Sequence, residues 1–386
     1  MKRGLNILIT NFVLDTGTGS EMYVFDLALE LEQEGHFPVV FTPRSGVLAQ
    51  RMLAQGICVV THIDQIPFSP DVIQGHHTIE TLAAAVRFPN TPVVFVCHDS
   101  YAWHDQAPTL PNIRRYVAVD QACHDRLIYG CGVEPRVVDL VSNGVNLARF
   151  PLRPELPQEF RSIGLFGNSF TATHLEILRQ AFPGIEVTCI GSGNCNQVVE
   201  PGSLVLSCDL ILARGRCARE SIATGAATIV ADATGMGGLV TSRDYVFQET
   251  NNFGRRLIRL PFDVEHLQRT AMGYNASDTR QIALKHRELH SLSRKAEALV
   301  AIYHQVINEM AGAKFKADEW SRETAKWLTW CSLHANVSPP TFHTITPISM
   351  RSAEFPSSVP AKKKRSIPIR VVREMNRFVR RIRKAA

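Results

Sequence analysis

Short apolar runs alternate with helical segments along most of this chain, and this alternation limits its fold more than any other feature. The first run, LNILITN (5–11), stops at DTGTGS (15–20), and apolar residues then recur at helical spacing up to Gly35. Similar runs follow at 37–42, 57–60, 71–75, 92–97 and 116–119. Alternating β and α segments favour a parallel sheet that helices cover on both faces.

A proline-rich segment divides this alternation into two series. The segment RFPLRPELP (149–157) contains three prolines and no periodic pattern, which is typical of a linker. After it we predict strands at 163–166, 185–190, 203–206, 210–212 and 228–231, and helices at 175–181 and 216–224. The predicted fold class is α/β, with two Rossmann-like doubly wound domains that direct the carboxyl ends of their sheets into one cleft.

The length of 386 residues leaves room for additional segments beyond two ordinary domains. We predict an N-terminal Rossmann-like domain at 1–148 and a C-terminal Rossmann-like domain at 149–312. The second domain ends in a helix over 278–310, with an apolar stripe that includes Leu289, Leu299 and Tyr303 and packs back across both halves. The remaining segments are predicted to be a helical extension at 313–337, a disordered proline-rich linker at 338–368 and a basic amphipathic helix at 369–386.

The positive charge of the chain belongs to its tail. Residues 361–386 hold eleven Lys and Arg and one acid, a charge of +10, which leaves −4 for the rest of a chain with a net charge of +6. The globular part therefore does not indicate nucleic-acid binding. The tail is expected to lie on an anionic membrane surface, or alternatively to act as a solubilising or partner-binding segment.

The cysteines and the N-terminus favour a reducing, cytoplasmic location. The nine cysteines form no CxxC pair, and the first residues lack the apolar core of a secretory signal. The segment HDSYAWHD (98–105) contains metal-ligand types, but a site needs three or four converging ligands, so no metal or other cofactor is expected.

The glycine loop Gly17, Thr18 and Gly19 after the first strand is the first candidate site. A dinucleotide fingerprint would need a third glycine at Met22, and the second strand ends in Pro43 and not in an acid. The sequence therefore does not predict a nicotinamide cofactor. The N–H groups of this turn could face an anion or a sugar, or the glycines could simply permit a tight turn.

His98 and Asp99 directly follow a predicted strand, which places them at the sheet edge where α/β proteins bind ligands. A histidine there can exchange hydrogen bonds with a substrate hydroxyl. The alternative is that the two residues form a capping or structural pair. His76 and His77 are predicted to lie in a comparable surface loop.

The second domain carries the most informative segment, ARGRCARESIATG (213–225). Arg214, Gly215 and Arg216 are predicted to lie at a helix N-terminus, where guanidinium groups and peptide dipoles together favour a diphosphate. Glu220, one turn later, could accept hydrogen bonds from a ribose diol, or could instead pair with a nearby arginine on a solvated face. Gly191, at the end of another predicted strand, is expected to adjoin the same donor site.

Taken in order, these blocks resemble the retaining glycosyltransferases of the GT-B fold, of the glycosyltransferase family 4 or group 1 type. The blocks are TGSE (18–21), His98-Asp99, SNGVNLARF (142–150), the segment 216–225 and TIV (228–230). The resemblance implies that Glu220 holds the nucleotide ribose and that His98 contacts the donor sugar. It also implies that Gly17, Thr18, Gly19 and Asp99 lie on the acceptor and sugar side, in an acceptor-side first domain.

The implied activity is transfer of a sugar from a nucleoside diphosphate to a hydroxyl of a glycan or lipid-linked acceptor, with retention, in bacterial surface glycan or glycolipid assembly. Such an enzyme would work in the cytoplasm or peripherally at the inner face of the membrane. Two departures leave alternatives open. Leu212 stands where the family has its first glutamate, and GNSFTAT (167–173) lacks the family's basic pair. A non-catalytic binding or scaffold relative and a sugar-nucleotide 2-epimerase remain as alternatives.

Overall fold

The computed structural model describes residues 3–17, 19–191, 200–313 and 315–334. Its first sheet has seven strands, all parallel, in the order β5-β3-β1-β6-β7-β8-β9. These strands are β1 Asn6–Thr10, β3 Phe37–Phe41, β5 Cys58–Val60, β6 Val72–His76, β7 Val93–Cys97, β8 Ile113–Ala118 and β9 Val138–Leu140. Two short strands, β2 Val13–Leu14 and β4 Arg44–Ser45, pair separately.

The first sheet reverses its order between β1 and β6, and this reversal creates a crevice at their carboxyl ends. The helices that connect its strands are α1 Gly19–Gln33, α2 Val47–Ala54, α3 Thr78–Arg87 and α4 Gln121–Asp125. A π-helical turn over Arg126–Gly130 continues α4. The central strands β6 and β7 are buried along their whole length, as expected for strands with helices on both faces.

The second sheet has five strands in the order β11-β10-β12-β13-β14. Its strands are β10 Ser162–Phe166, β11 Glu186–Ile190, β12 Leu210–Ala213, β13 Ala227–Asp232 and β14 Gly235–Leu239. The first four pair in parallel, and β14 runs antiparallel to β13 at the edge. The order reverses between β10 and β12, so this sheet also has a crevice at its carboxyl end.

Eight helices of the described chain follow the first sheet. They are α5 Ala172–Ala181, α6 Gly202–Ser207, α7 Arg216–Thr224, α8 Tyr245–Thr250, α9 Val264–Ala271, α10 Ala276–His290, α11 Leu292–Met310 and α12 Ala317–His334. The predicted α/β class with two doubly wound sheets is confirmed.

One prediction about the second sheet is wrong, and one of its strands was not predicted. The run 203–206 is part of helix α6 and not a strand, because β11 and β12 already occupy both sides of β10. A short apolar run does not distinguish a strand from a buried helix by itself. The strand β14 was missed because its sequence, GMGGL, is rich in glycine, which strands usually avoid.

The predicted helix over 278–310 consists of two helices that meet at Ser291. Ser291 is extended, and its hydroxyl oxygen accepts a hydrogen bond from the N–H of Arg294 at the start of α11. Beside this break, Val145 pairs with the chain on both sides, through Val145 N to His290 O at 2.8 Å and Leu292 N to Val145 O at 2.9 Å. The segment around Val145, which leads into the second domain, and the segment around Ser291, which leads back from it, therefore run side by side.

Helix α11 packs onto the first sheet. Its Leu299, Ile302, Tyr303 and Val306 belong to the same hydrophobic core as β1 and β7. The part of the predicted helix that forms α11 therefore lies on the first sheet, and the crossing of the whole helix over both halves stays a prediction. The inclusion of Leu289 in the predicted apolar stripe is wrong, because this residue lies on α10 and is 37% exposed.

The C-terminal predictions fall partly outside the described residues. Helix α12 provides the helical extension predicted at 313–337, whereas the linker predicted at 338–368 and the basic helix predicted at 369–386 lie outside what the structure describes. The predicted domain boundaries stay predictions. Within the described ranges, none of the helices is long and apolar enough to cross a membrane.

Candidate functional site

The two crevices open onto one cleft, and the predicted site residues stand at its edges. Arg214 follows β12 directly, and His98 follows β7, the neighbour of β6. The charge of Arg216, in the second sheet's domain, contributes to lowering the pKa of His98 in the first. The structure therefore brings side chains of both domains into one electrostatic environment.

The start of helix α7 is formed by backbone geometry that favours glycine. Gly215 caps α7 with φ +59° and ψ −125°, a conformation that side chains with a Cβ rarely adopt. Its N–H donates to Phe253 O at 2.9 Å. Arg214 just before it is partly exposed and contacts the Asp232 carboxylate at 3.2 Å, at the end of β13.

Arg216, the first residue of α7, bridges two carboxylates. Its Nε donates to Glu220 Oε1 at 2.6 Å within α7, and its Nη2 donates to Asp26 Oδ2 on α1 of the first domain. Glu220 is 5% exposed and Asp26 is 2% exposed. The pairing of Glu220 with a nearby arginine is therefore present, but it is buried between domains and not on a solvated face.

Burial and charge act in opposite directions on this pair. Burial raises the pKa of Glu220, while the adjacent Arg216 opposes that change. Burial would lower the pKa of Arg216, but Glu220 and Asp26 more than offset it and the pKa is raised. Arg216 is thus a permanent cation held between anions, which is the kind of group that a bound diphosphate would also satisfy.

The ion pairs continue from Asp26 toward the connection between the domains. Arg149 Nη1 donates to Asp26 Oδ1 at 2.9 Å, and Arg149 Nε donates to Glu200 at 3.0 Å. Arg51 on α2 also donates to Glu200, at 2.6 Å. A cavity of about 450 Å³ adjoins this network and is lined by residues of α1, of 146–149 and of 291–293. The network holds the two domains together on this side of the cleft.

His98 is partly buried and is held by other histidine and tyrosine rings. Its Nε2 lies 2.6 Å from Nδ1 of His76, and the two rings are inclined by only 20° with centroids 4.8 Å apart. Tyr23 on α1 packs edge-on against both rings. Burial, with help from Arg216 and His104, lowers the pKa of His98 to about 4, so the ring is neutral at pH 7.

The prediction that His76 and His77 lie in a surface loop is wrong. His76 is the last residue of the central strand β6 and is fully buried, and His77 is 4% exposed with φ +63°. Nδ1 of His77 accepts a hydrogen bond from Phe12 N at 3.1 Å. Burial lowers the pKa of His77 to about 3. Strand β6 therefore extends to His76, and His77 continues the wall of the cleft. Hydrophobicity alone did not predict that these two polar residues would be buried.

Asp99 shapes its own loop. Its Oδ1 accepts from Tyr101 N at 2.6 Å and from Ala102 N at 2.9 Å, while Arg126 donates to the carbonyl oxygens of Asp99 and Ala102. Although burial acts in the opposite direction, these N–H groups and nearby arginines lower the pKa of Asp99. The carboxylate of Asp99 therefore has the structural role that was the alternative prediction. Any contact between Asp99 and a sugar stays a prediction.

The glycine loop is organised by a buried glutamate. Oε2 of Glu21 accepts from the N–H groups of Asp15, Thr16 and Gly17 at 2.6, 2.9 and 3.2 Å. These N–H groups therefore bind the carboxylate of the chain's own Glu21, and the assignment of the loop to the sugar side of the cleft stays a prediction. Gly17 has φ +74°, a Cβ on Gly19 would meet open space, and Thr18 lies outside the described residues.

Gly191 lies where two loops of the second sheet touch. A Cβ on Gly191 would stand 2.5 Å from the carbonyl oxygen of Gly167, and Gly191 itself has φ +136°. Gly167 directly follows β10, the strand beside β12, and its N–H donates to Ile190 O at 2.9 Å. The absence of a side chain at Gly191 thus permits close packing of the loops next to the α7 N-terminus.

Sequence reasoning missed Asp26 and undervalued Glu21. Both are carboxylates inside the apolar run of α1, and both are almost fully buried. A charged residue in a buried stripe is rarely tolerated unless it is paired, so the interruption of the apolar pattern was the available signal. Among the described residues, no group of three His, Cys, Asp or Glu side chains is arranged to hold a metal ion.

Comparison with families of known proteins identifies the first half of this site. Residues 17–149 match the model of Glycosyltransferase Family 4. This segment begins in the glycine loop, contains His98 and ends at Arg149. No curated protein has a significant sequence match to the chain.

Solved structures share the fold at low sequence identity. A glycosyltransferase from Rickettsia africae is 15% identical, with a TM-score of 0.57 over 79% of this chain and 99% of its own. HepE from Anabaena, solved in complex with UDP, is 12% identical, with a TM-score of 0.58 over 78% of this chain and 100% of its own. Sucrose-phosphate synthase from Thermosynechococcus elongatus is 12% identical, with a TM-score of 0.52 over 80% and 100%.

The resemblance of the sequence blocks to GT-B glycosyltransferases is confirmed by these findings, whereas retention stays a prediction. The matching family segment and the shared fold are both those of GT-B glycosyltransferases. The predicted class of enzyme, a glycosyltransferase, agrees with both comparisons.

Proposed function

We propose that this chain is a retaining glycosyltransferase that transfers a sugar from a nucleoside diphosphate to the hydroxyl of an acceptor. One observation carries the proposal: helix α1 of the first domain contacts both groups, because its Asp26 accepts a hydrogen bond from Arg216 of the second domain and its Tyr23 packs edge-on against His98. A diphosphate at Arg216 would therefore have its sugar near His98. Ligands of doubly wound folds bind at such reversals of strand order.

The second domain would bind the nucleotide. The α7 N-terminus, Arg214 and Arg216 would surround the diphosphate, with Gly215 and Gly191 allowing the backbone to approach closely. Glu220, already a hydrogen-bond acceptor for Arg216, would accept from the ribose hydroxyls. Asp26 stands in the place that a phosphate oxygen would take beside Arg216, so donor binding would exchange one anionic partner for another.

The first domain would bind the donor sugar and the acceptor. His98 would contact the sugar, and the loop of Gly17, Thr18 and Gly19 would line the acceptor side together with Asp99. Negative charge develops on the diphosphate as the glycosidic bond breaks, and fixed positive charge stabilises it most where water is excluded. Arg216, whose side chain is only 15% exposed, would supply this fixed charge. The chemistry requires no metal or other cofactor of the protein.

Nucleotide binding tests the proposal directly. We expect calorimetry to detect binding of UDP, GDP or ADP to the wild-type chain, and to detect at least about tenfold weaker binding to Arg216→Ala and Glu220→Ala. Arg243→Ala, an exposed arginine of the same domain, is the matched control and should bind like the wild type. The absence of binding to the wild type for all three nucleotides would refute the proposal. Retention would then be read from the anomeric configuration of a sugar product.

A second candidate is a non-catalytic GT-B protein that binds a ligand without turning it over. Its support is the buried Leu212 at the position of the family's first glutamate, together with the carboxylate partners of both Arg214 and Arg216. Nucleotide binding without transfer or hydrolysis of any sugar from UDP-, GDP- or ADP-glucose would favour this candidate.

We further propose that the acceptor is a glycan or a lipid-linked molecule at the cytoplasmic face of a membrane, as in bacterial surface glycan assembly. The support is the sequence of the tail, where basic and apolar residues of 369–386 would lie on opposite faces of a helix. Flotation with anionic liposomes should recover the full chain and not a chain that ends at residue 360. Equal recovery of both would refute membrane binding by the tail.

A further inference from the structure

A chain of hydrogen bonds connects His98 in the cleft to helix α11, which packs on the first sheet. Nε2 of His98 lies 2.6 Å from Nδ1 of His76, and Nε2 of His76 lies 2.6 Å from the amide nitrogen of Gln74. The amide oxygen of Gln74 accepts from the hydroxyl of Tyr303. Gln74, His76 and Tyr303 are all fully buried. Each link of this chain of bonds joins two side chains directly.

The chain has a direction because an amide nitrogen only donates. Nε2 of His76 must then accept, so a neutral His76 carries its proton on Nδ1 and donates it to His98. Nε2 of His98 in turn must accept, which leaves the proton of a neutral His98 on Nδ1. In this arrangement the O–H of Tyr303 donates to the oxygen of Gln74, which leaves the amide nitrogen toward His76.

Both histidines are neutral in this arrangement. Burial, with the nearby His98 and His77, lowers the pKa of His76 well below its usual value. Burial and Arg216 do the same for His98. Burial raises the pKa of Tyr303 far above its usual value, so its hydroxyl keeps the proton that it donates. A single tautomer is therefore selected by geometry throughout the range in which the rings are neutral.

We propose that Gln74 and Tyr303 are positioning residues that hold His98 in the tautomer with its proton on Nδ1. His98 then presents an N–H donor, and not a lone pair, from the ring nitrogen that does not face His76. The identity of the ligand rests on the proposed function: the donor would meet a hydroxyl oxygen of the donor sugar. The tautomer itself does not depend on that function.

The position of Tyr303 links the tautomer of His98 to helix α11. Tyr303 belongs to α11, which follows the connection between the two domains at Ser291 and packs on the first sheet. The orientation of the Gln74 amide, and with it the tautomer of His98, depends on α11 lying in place. The helix that returns from the second domain thus takes part in preparing the sugar side of the cleft.

Nitrogen-15 NMR of the histidine rings tests the proposal in the full-length protein at pH 8.5, with His98 assigned from the signals lost in His98→Gln. We expect wild-type His98 to show a protonated Nδ1 and an unprotonated Nε2. Gln74→Glu offers only acceptor oxygens to His76, so it should reverse both rings and move the His98 proton to Nε2. Wild-type His98 with its proton on Nε2, or a Gln74→Glu variant with the wild-type tautomer, would overturn the proposal.

A milder variant covers the case in which Gln74→Glu does not fold. Tyr303→Phe removes only the hydroxyl, and we expect the two nitrogens of His98 to give averaged signals because the amide is no longer fixed. Tyr245→Phe removes another buried hydroxyl that contacts a histidine, His286 at 2.7 Å in the second domain, and should leave His98 unchanged. An unchanged His98 in Tyr303→Phe would overturn the role of Tyr303.

Binding of sugar nucleotides separates this proposal from the proposed function. Calorimetry with UDP, GDP and ADP and with their glucose conjugates should show that Gln74→Glu weakens binding of a conjugate by about tenfold and leaves its nucleotide unchanged. Equal effects on both would contradict a role toward the sugar. Failure of the wild type to bind any nucleotide would refute the proposed function and leave the tautomer result standing.

Discussion

Arg216, at the start of α7, donates to Asp26 in the middle of α1, and this buried ion pair joins the two domains across the cleft. The same guanidinium also donates to Glu220 at 2.6 Å. Arg216, the cation on which the proposed donor site depends, is therefore already paired with carboxylates. A nucleotide that binds there must compete with Asp26.

Removal of the competing charge should strengthen nucleotide binding. In Asp26→Asn the amide no longer neutralises Arg216, so we expect the nucleotide that the wild type prefers to bind about tenfold more tightly, equivalent to about 1.4 kcal/mol. Calorimetry measures this change. Asp64→Asn, which removes an exposed carboxylate paired with Arg87, is the control and should have no effect. Equal or weaker binding by Asp26→Asn would contradict competition by Asp26.

The glycine loop should depend on Glu21 for its stability. Its carboxylate accepts three backbone N–H groups, and hydrogen bonds to a charged group are each worth about 1.5–3 kcal/mol. We expect Glu21→Gln, which has one acceptor oxygen fewer and no charge, to lower the free energy of unfolding by about that amount in urea denaturation. Glu32→Gln, an exposed position on the same helix, should change it little. Similar values for the two variants would show that the loop does not need the charge.

The sequence predicted the large features because they follow from repeating local patterns. Buried parallel strands such as β6 and β7 are continuous apolar runs, and the order of strands and helices then places Arg214 and His98 at carboxyl ends. Periodicity therefore located the edge of each sheet. It also failed where the pattern is weak, in the glycine-rich β14 and the short run that forms α6.

The partners of the site residues could not be predicted in the same way. Asp26 meets Arg216 across 190 positions of sequence, and Tyr303 meets Gln74 across 229. Such contacts depend on how the second domain docks on the first, which local patterns do not determine. Tyr303 could be assigned to an apolar stripe from its spacing, but the bond of its hydroxyl required the packed structure.

Acid should stabilise the chain through Asp105. Burial raises the pKa of this carboxyl to about 7, against about 3.9 in an unfolded chain, so the folded state holds the extra proton between those values. The contribution of Asp105 to stability is therefore present at low pH and is lost as the pH rises toward 7. Relative to Asp105→Asn, the wild type should gain about 1.4 kcal/mol for each pH unit between pH 7 and pH 5. Urea denaturation at several pH values measures this difference.

Other groups titrate in the same range, so the comparison must be made between variants. The buried His77 and His98 have lowered pKa values and act in the opposite sense, because the unfolded state binds their protons first as the pH falls. Their effect is common to the wild type and Asp105→Asn and cancels in the difference. A pH-independent difference for Asp105→Asn would contradict the raised pKa.

Truncation of Leu299 on α11 should lower the free energy of unfolding much more than truncation of Leu289 near the end of α10. Leu299 is fully buried in the core of the first sheet, and truncation of such a side chain costs about 2–5 kcal/mol because a cavity remains. Leu289 is 37% exposed, so Leu289→Ala should cost under about 1 kcal/mol. Urea denaturation of Leu299→Ala and Leu289→Ala compares the same chemical change at both sites. Equal losses would contradict the difference in burial between the two leucines.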